Sequence, residues 1–363
     1  MSASTGKPVV RPYEDHDRDA VLDLLAAAFA RPRSQFERIW RRQIEENPHC
    51  VPGGVDRYVL SRPPVDHVAG FIGVLPMRMT VERETYHIQH PVDYAVEDES
   101  RFYGIKLLYG VLGRLPFYLT SSAGPVSVAL FRKYGCGEVT LPAASLRGFD
   151  LGFLPSGLQV LYAKLLRRLA RRRQPLLAWI PGLLHRVRGR SAGHASPQVR
   201  RVDHFGEAML AGAARLRSGL FRLDKTAEWL NWRYVDWPRC QDETGFEALV
   251  ATLAGKTGYV VWRRGPGGAT TIYDLDYAGD PSIGACLLHT VIDRAFRAGC
   301  IEVNAPCFPV ADRQVLQDAG FDVNQTNQVT LLYAPQPDTA LERMSSPDFW
   351  AVYYGDLEVS HFG

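Results

Sequence analysis

One stretch constrains the fold more than any other. An apolar run, Val92–Val96, leads through Glu97-Asp98-Glu99-Ser100 into Arg101-Phe102-Tyr103-Gly104-Ile105-Lys106 and then into a predicted helix from Leu107 to Leu112. A strand that feeds a glycine-bearing turn and then a helix aims several backbone N–H groups, and the positive end of the helix dipole, at one point. That layout suits a pyrophosphate. The surrounding pattern extends the unit. Val9–Pro12 reads as a strand, Asp17–Ala30 as an amphipathic helix, and Arg57–Leu60 and Val68–Val81 as strands rich in β-branched residues. Phe117–Thr120 reads as the next strand and Val126–Cys136 as a closing helix, so the predicted order is β-α-α-β-β-β-α-β-α over residues 8 to about 150.

These segments resemble the GNAT superfamily of acyl-CoA N-acyltransferases. Arg101 and Gly104 fall in register with that family's Gln/Arg-x-x-Gly-x-Gly/Ala signature, while Lys106 stands where the family has a small residue. Leu130, Gly135 and Cys136 match its closing-helix pattern Ala-x-x-Leu-Tyr-x-x-x-Gly-Phe. The resemblance implies an α/β (α+β) fold with a mixed central sheet flanked by helices. It also implies acetyl-CoA or another acyl-CoA held by Val96, Arg101, Phe102, Tyr103, Gly104, Ile105 and Lys106.

With 363 residues the chain has room for two lobes, because single cores stop growing at about 250–300 residues. Three segments are expected: a lobe over 1–150, a basic helical linker over 151–202 and a second lobe over 203–363. The linker holds 11 Lys and Arg and no acid, so subtracting 11 from the net +3 leaves −8 for the rest. Basicity is thus local, which argues against a DNA-binding surface. Leu158, Leu161, Leu165 and Leu169 share one helical face, with Lys164 and Arg167 on another. That helix reads first as a connector, and then as a contact for tRNA or for a membrane surface through 164–190. The six cysteines form no C-x-x-C pair, so no metal site is expected. A polar N-terminus without an apolar leader fits a reduced cytoplasmic protein.

The strand and helix pattern restarts downstream. Tyr259–Trp262 and Thr270–Leu275 read as strands, Ile283–Ala298 as a helix, Ile301–Val303 as a strand and Asp312–Ala319 as a helix ending at Gly320-Phe321. The ending mirrors that of the first lobe and suggests a second, degenerate GNAT-like lobe. Its loop, Ala278-Gly279-Asp280-Pro281-Ser282, puts an acid and a proline where phosphate donors would be needed.

The resemblance implies direct transfer from a thioester to the amine of a small metabolite, amino acid or amino sugar, where the two central strands splay apart. Such chemistry needs a base for the amine, a backbone N–H for the acyl oxygen and an acid for the thiolate. Val96 is the expected N–H. His90 is the first candidate base, on a strand face shared with Val92, Tyr94 and Val96, and Asp93 is the second. Phe131 stands where many relatives have a tyrosine acid, and Tyr134, one turn on, is the expected substitute. Arg233, Tyr234 and Asp276 of the second lobe are the expected acceptor contacts, in a cleft between lobes. A transferase drawing on aminoacyl-tRNA and a non-catalytic CoA-binding module are the alternatives.

Overall fold

A computed structural model describes residues 7–50, 57–63, 66–81, 84–114, 119–121, 125–147, 197–210, 220–236, 245–265, 268–323, 329–333 and 343–357. The basic run 151–196, Phe117, Tyr118 and Cys240 lie outside the described residues. Two compact units emerge. The first comprises Met1–Val139, Leu331–Ser345 and Glu358–Gly363, and the second Thr140–Thr330 and Ser346–Leu357.

In the first unit β1 (Val9–Pro12) leads to α1 (Arg18–Phe29) and α2 (Arg33–Trp40), followed by β2 (Tyr58–Arg62), β3 (His67–Val81) and β4 (Glu84–Val96). These four strands pair antiparallel in the order β1-β2-β3-β4. Ala30 ends α1 in the left-handed conformation, with φ 52°, which stops the helix and turns the chain into α2. Then come α3 (Arg101–Leu112), β5 (Leu119–Thr120), α4 (Pro125–Lys133) and β6 (Gly137–Leu141). One apolar face of the sheet, carrying Tyr58, Leu60, Ile72, Val74 and Val96, packs on Leu107, Leu108 and Val111 of α3 and Phe131 of α4. The other face carries Phe71, whose ring lies 5.8 Å from Trp40 of α2.

The second unit opens with β7 (Ala144–Arg147), β8 (Gln198–Val202), β9 (Phe221–Leu223) and the short α5 (Ala227–Leu230). It continues through β10 (Glu247–Leu253), β11 (Lys256–Arg264), β12 (Ala269–Asp276), α6 (Pro281–Arg297), β13 (Glu302–Ala305) and α7 (Arg313–Asp318). Six strands pair in the order β7-β13-β12-β11-β10-β8. Their core gathers Leu249, Val260, Trp262 and Ile272 from strands under Leu287, Val291 and Phe296 of α6. The remaining elements are β14 (Val329–Tyr333), β15 (Trp350–Ala351) and α8 (Tyr354–Leu357).

The boundaries differ from those expected near 150 and 202. β7 belongs to the second unit because it pairs with β13. Residues 198–202 are not linker but a strand bonded to β10. Tyr333 returns to the first unit because β14 pairs with β5.

Candidate active site

The first unit builds its site around a flaw in β4. Phe71 pairs with Ala95 and Gly73 with Val92, so Asp93 and Tyr94 together oppose Ile72. Asp93 takes up the extra residue with φ 51°, a left-handed conformation that Asp tolerates better than most side chains. A bulge reverses the side-chain alternation beyond it. Paired residues share a face, so His90 lies with Leu75 and Phe71 on the side of α2, whereas Val96 lies with Gly70 and Ile72 on the side of α3. The expected common face of His90 and Val96 is therefore corrected. His90 is fully buried, at 0% exposure, with its partner residue Leu75 in β3.

The same register aims a backbone donor. The N–H of Glu97 donates to Ala69 O at 2.9 Å, making Ala69 and Glu97 the hydrogen-bonded pair and Gly70 and Val96 the next, non-bonded pair. The Val96 N–H accordingly points to the other edge of β4. Near β4 lies β5, which among the described residues pairs with β14. A strand edge that no described strand bonds offers its N–H donors to a ligand's carbonyl.

The two bulge residues meet different neighbours. Asp93 is half-buried, its carboxyl is pushed up to about 6 by burial, and Arg31, just beyond α1, pulls the other way. A carboxyl near 6 is mostly ionised at neutrality yet still basic enough to take a proton, the range in which a general base works. Tyr94 is 43% exposed. Its hydroxyl lies against Gly104, where a Cβ would collide with it, and burial raises its pKa.

Helix α3 starts at Arg101, six residues before the predicted Leu107. A 3-10 turn over Asp98–Ser100 enters it, with Ser100 N–H donating to Glu97 O at 2.9 Å. Gly104 is thus not a turn residue but a helical one, and its missing side chain lets α3 approach Tyr94 and Val96. Arg101 is exposed and paired with Asp98 at 2.8 Å. Phe102 is 92% exposed and Ile105 45%. Lys106 is exposed, its Nζ 5.1 Å from the Tyr103 ring centroid.

Four expected site residues, Tyr134, Arg233, Tyr234 and Asp276, stand elsewhere. Tyr134 stacks on Tyr109 at 4.3 Å and its hydroxyl donates to Tyr109 O at 3.3 Å, so that hydroxyl is committed to α3. Phe131 is core. Arg233 and Tyr234 sit in a wide π turn over Asn231–Val235 that turns both inward. Arg233 donates from Nε and Nη2 to Gly355 O at 3.0 and 2.8 Å, and burial raises the Tyr234 phenol well above its usual range, with Asp274 reinforcing the shift. Their role as acceptor contacts is replaced by a role in the second unit's interior. Asp276 caps its own turn, accepting from Ala278 N–H at 2.8 Å.

The second unit also carries a bulged strand followed by a helix. β12 also carries a bulge, beside Val261 and Trp262 of β11, and pairs with β13 only over Ala269–Thr271. The N-terminus of α6 already holds a carboxylate, since Asp280 accepts from Ser282 N–H at 3.1 Å and Pro281 follows. Packed against β12 is α8, where a side chain on Gly355 would strike the Tyr234 hydroxyl and the Tyr273 carbonyl.

Among the described residues, His16, Asp17 and Asp66 approach one another as metal ligands do, but Arg11 bonds both carboxylates, at 2.7 and 3.0 Å. No described helix is long and apolar enough to cross a membrane.

No protein-family model matches the chain, and no curated protein matches it in sequence. Solved structures do match in fold. A GCN5-related N-acetyltransferase from Anabaena variabilis superposes with a TM-score of 0.58 at 14% identity, covering 90% of this chain and 72% of that one. Another from Kribbella flavida gives 0.57 at 16%, covering 92% and 73%. A conserved Enterococcus faecalis protein described as a probable N-acyltransferase gives 0.56 at 12%, covering 90% and 72%. The chain therefore has the fold of the GCN5-related N-acetyltransferases.

Proposed function

We propose that the chain is an acyl-CoA-dependent N-acyltransferase with one cofactor site, in the first unit, acting on an amine of a small metabolite, amino acid or amino sugar. The observation that carries this is the bulge at Asp93, which sets a carboxyl near 6 on the same strand as the Val96 N–H, on an edge that no described strand bonds. The N-acetyltransferase fold supports it.

The donor set suits the group. Acyl-CoA, when bound, would bring an acyl carbon activated toward an amine. Val96 N–H would hold the acyl oxygen, where a backbone donor in a site shielded from water favours developing negative charge. The first turn of α3 would face the diphosphate with its N–H groups, flanked by Arg101 and Lys106, while Phe102, Tyr103, Gly104 and Ile105 form the wall. Asp93, ionised above about 6, would take the proton of the attacking amine. The second unit would supply no acyl-CoA site, because Asp280 holds the N-terminus of α6 and α8 lies against β12.

Calorimetric titration with acetyl-CoA, followed by CoA release in the presence of a panel of amines, tests the reading. Saturable binding with amine-dependent release is expected. A folded protein that ignores millimolar acetyl-CoA would refute it.

A further inference from the structure

The second unit holds a charge cluster that acyl transfer does not use. Lys225 lies between two carboxylates, its Nζ 2.8 Å from Asp274 Oδ1 and 2.9 Å from Asp356 Oδ1. The side chains of the two acids are 0% and 1% exposed. With both acids ionised, one ammonium faces two carboxylates in a region closed to water, and one negative charge is left over. Asp356 belongs to α8, Asp274 to β12, and Lys225 to the connection between β9 and α5. The cluster therefore ties the last described segment to the sheet. Arg233 adds its two bonds to Gly355 O, and Asp356 Oδ2 accepts from Tyr353 N–H at 2.9 Å.

We propose that this cluster is a proton-operated latch, which holds Trp350–Leu357 against β12 more tightly when Asp274 carries a proton than when it is ionised. A proton on Asp274 leaves a neutral pair, Lys225 with Asp356. The tyrosines Tyr234 and Tyr259, whose hydroxyls lie 3.5 and 3.4 Å from Asp274 Oδ2, would stay hydrogen-bonded to it in either state.

Every neighbouring charge bears on the balance. Asp276, on the same strand, and Asp356 both oppose ionisation of Asp274, and Lys225 favours it. Arg233 acts on Tyr234 from the π turn, as does Tyr273 of β12, and the buried thiol of Cys307 feels both Asp356 and Lys225. Burial and the second carboxylate outweigh the ammonium, and the Asp274 carboxyl is pushed up to about 6. The latch thus changes state around pH 6, where few other carboxyls titrate.

Amide hydrogen exchange of Trp350–Leu357 in the full chain, at pH 5 and pH 8 and corrected for intrinsic rates, reads the latch directly. The amides of β11 serve as the internal reference for global opening. The wild type should open about tenfold or more often at pH 8 than at pH 5. Asp274→Asn should be equally protected at both, near the wild-type level at pH 5. Asp356→Asn keeps one acid and one ammonium, and should lose the pH dependence while exchanging faster at both values. A wild-type segment with the same protection at pH 5 and pH 8, or better protection at pH 8, overturns the proposal without any variant. So does a folded Asp274→Asn protein that keeps the wild-type pH dependence.

Discussion

His90 and Val96 stand an even number of residues apart on β4 and yet face opposite sides of the sheet. The cause is Asp93, whose left-handed backbone inserts one residue and reverses the alternation. The bulge sets the imidazole on the sheet face opposite Val96, and the proposed function therefore gives the role of base to the Asp93 carboxyl.

Asp93→Asn should lower turnover by roughly 10²–10⁴-fold with the dissociation constant for acetyl-CoA little changed. A base must be ionised to accept a proton, and this carboxyl is raised to about 6. Wild-type kcat/KM should therefore fall as pH drops through 6, and the variant should lack that limb. A His90→Gln protein that lost the limb instead would return the role to the imidazole.

The contact between Tyr94 and Gly104 makes a second test. A Cβ at 104 meets the Tyr94 hydroxyl, the outer end of a half-exposed side chain that can swing aside. Gly104→Val should abolish acetyl-CoA binding. Gly104→Ala should weaken it, and adding Tyr94→Ala should restore part of the loss. Equal binding by Gly104→Ala and wild type in calorimetry would show that the first turns of α3 do not face the ligand.

Arg233→Ala should act on stability rather than on acceptor KM. It removes two charge-assisted bonds to Gly355 O inside the second unit, a loss of about 2–4 kcal/mol. Urea unfolding measures the cost. An intact midpoint with a raised KM for an amine would place the guanidinium in the acceptor site after all.

Asp274 sets a pH dependence of stability. Its folded value, about 6, lies above the ordinary aspartate value of 3.8, so the folded state binds a proton that the unfolded state has released between those limits. The penalty for ionising it is complete above about 6 and disappears as pH falls toward 4. Asp274→Asn should therefore raise the Tm at pH 8, by on the order of 1–3 kcal/mol in stability, and change it little at pH 4. A variant less stable at pH 8 would mean that Lys225 favours the ionised acid more strongly than burial and Asp356 oppose it.

Much of this fold was legible in the residues. Val68–Val81 and Ile283–Ala298 announce β3 and α6 by composition and periodicity, although α6 begins two residues earlier than expected, at Pro281 behind the Asp280 cap. Arg-x-x-Gly reads as a turn and so puts the start of α3 too late, whereas Gly104 is helical and serves the approach of Tyr94. The bulge was hidden for another reason. Pro91 and Asp93 interrupt a β-rich run and are a signal for one, but neither fixes the residue at which pairing slips. Lys225, Asp274 and Asp356 come from three distant elements, so no local pattern could join them. Arg233 and Tyr234 resembled site residues because sequence gives polarity, not burial.

The most direct test of the central claim is the stoichiometry of acetyl-CoA binding in wild type, Gly104→Val and Asp280→Ala, followed by isothermal titration calorimetry. One acetyl-CoA per chain is expected, lost in Gly104→Val and kept in Asp280→Ala. Two molecules per chain, or a single one lost on changing Asp280 but not Gly104, would contradict a cofactor site confined to the first unit.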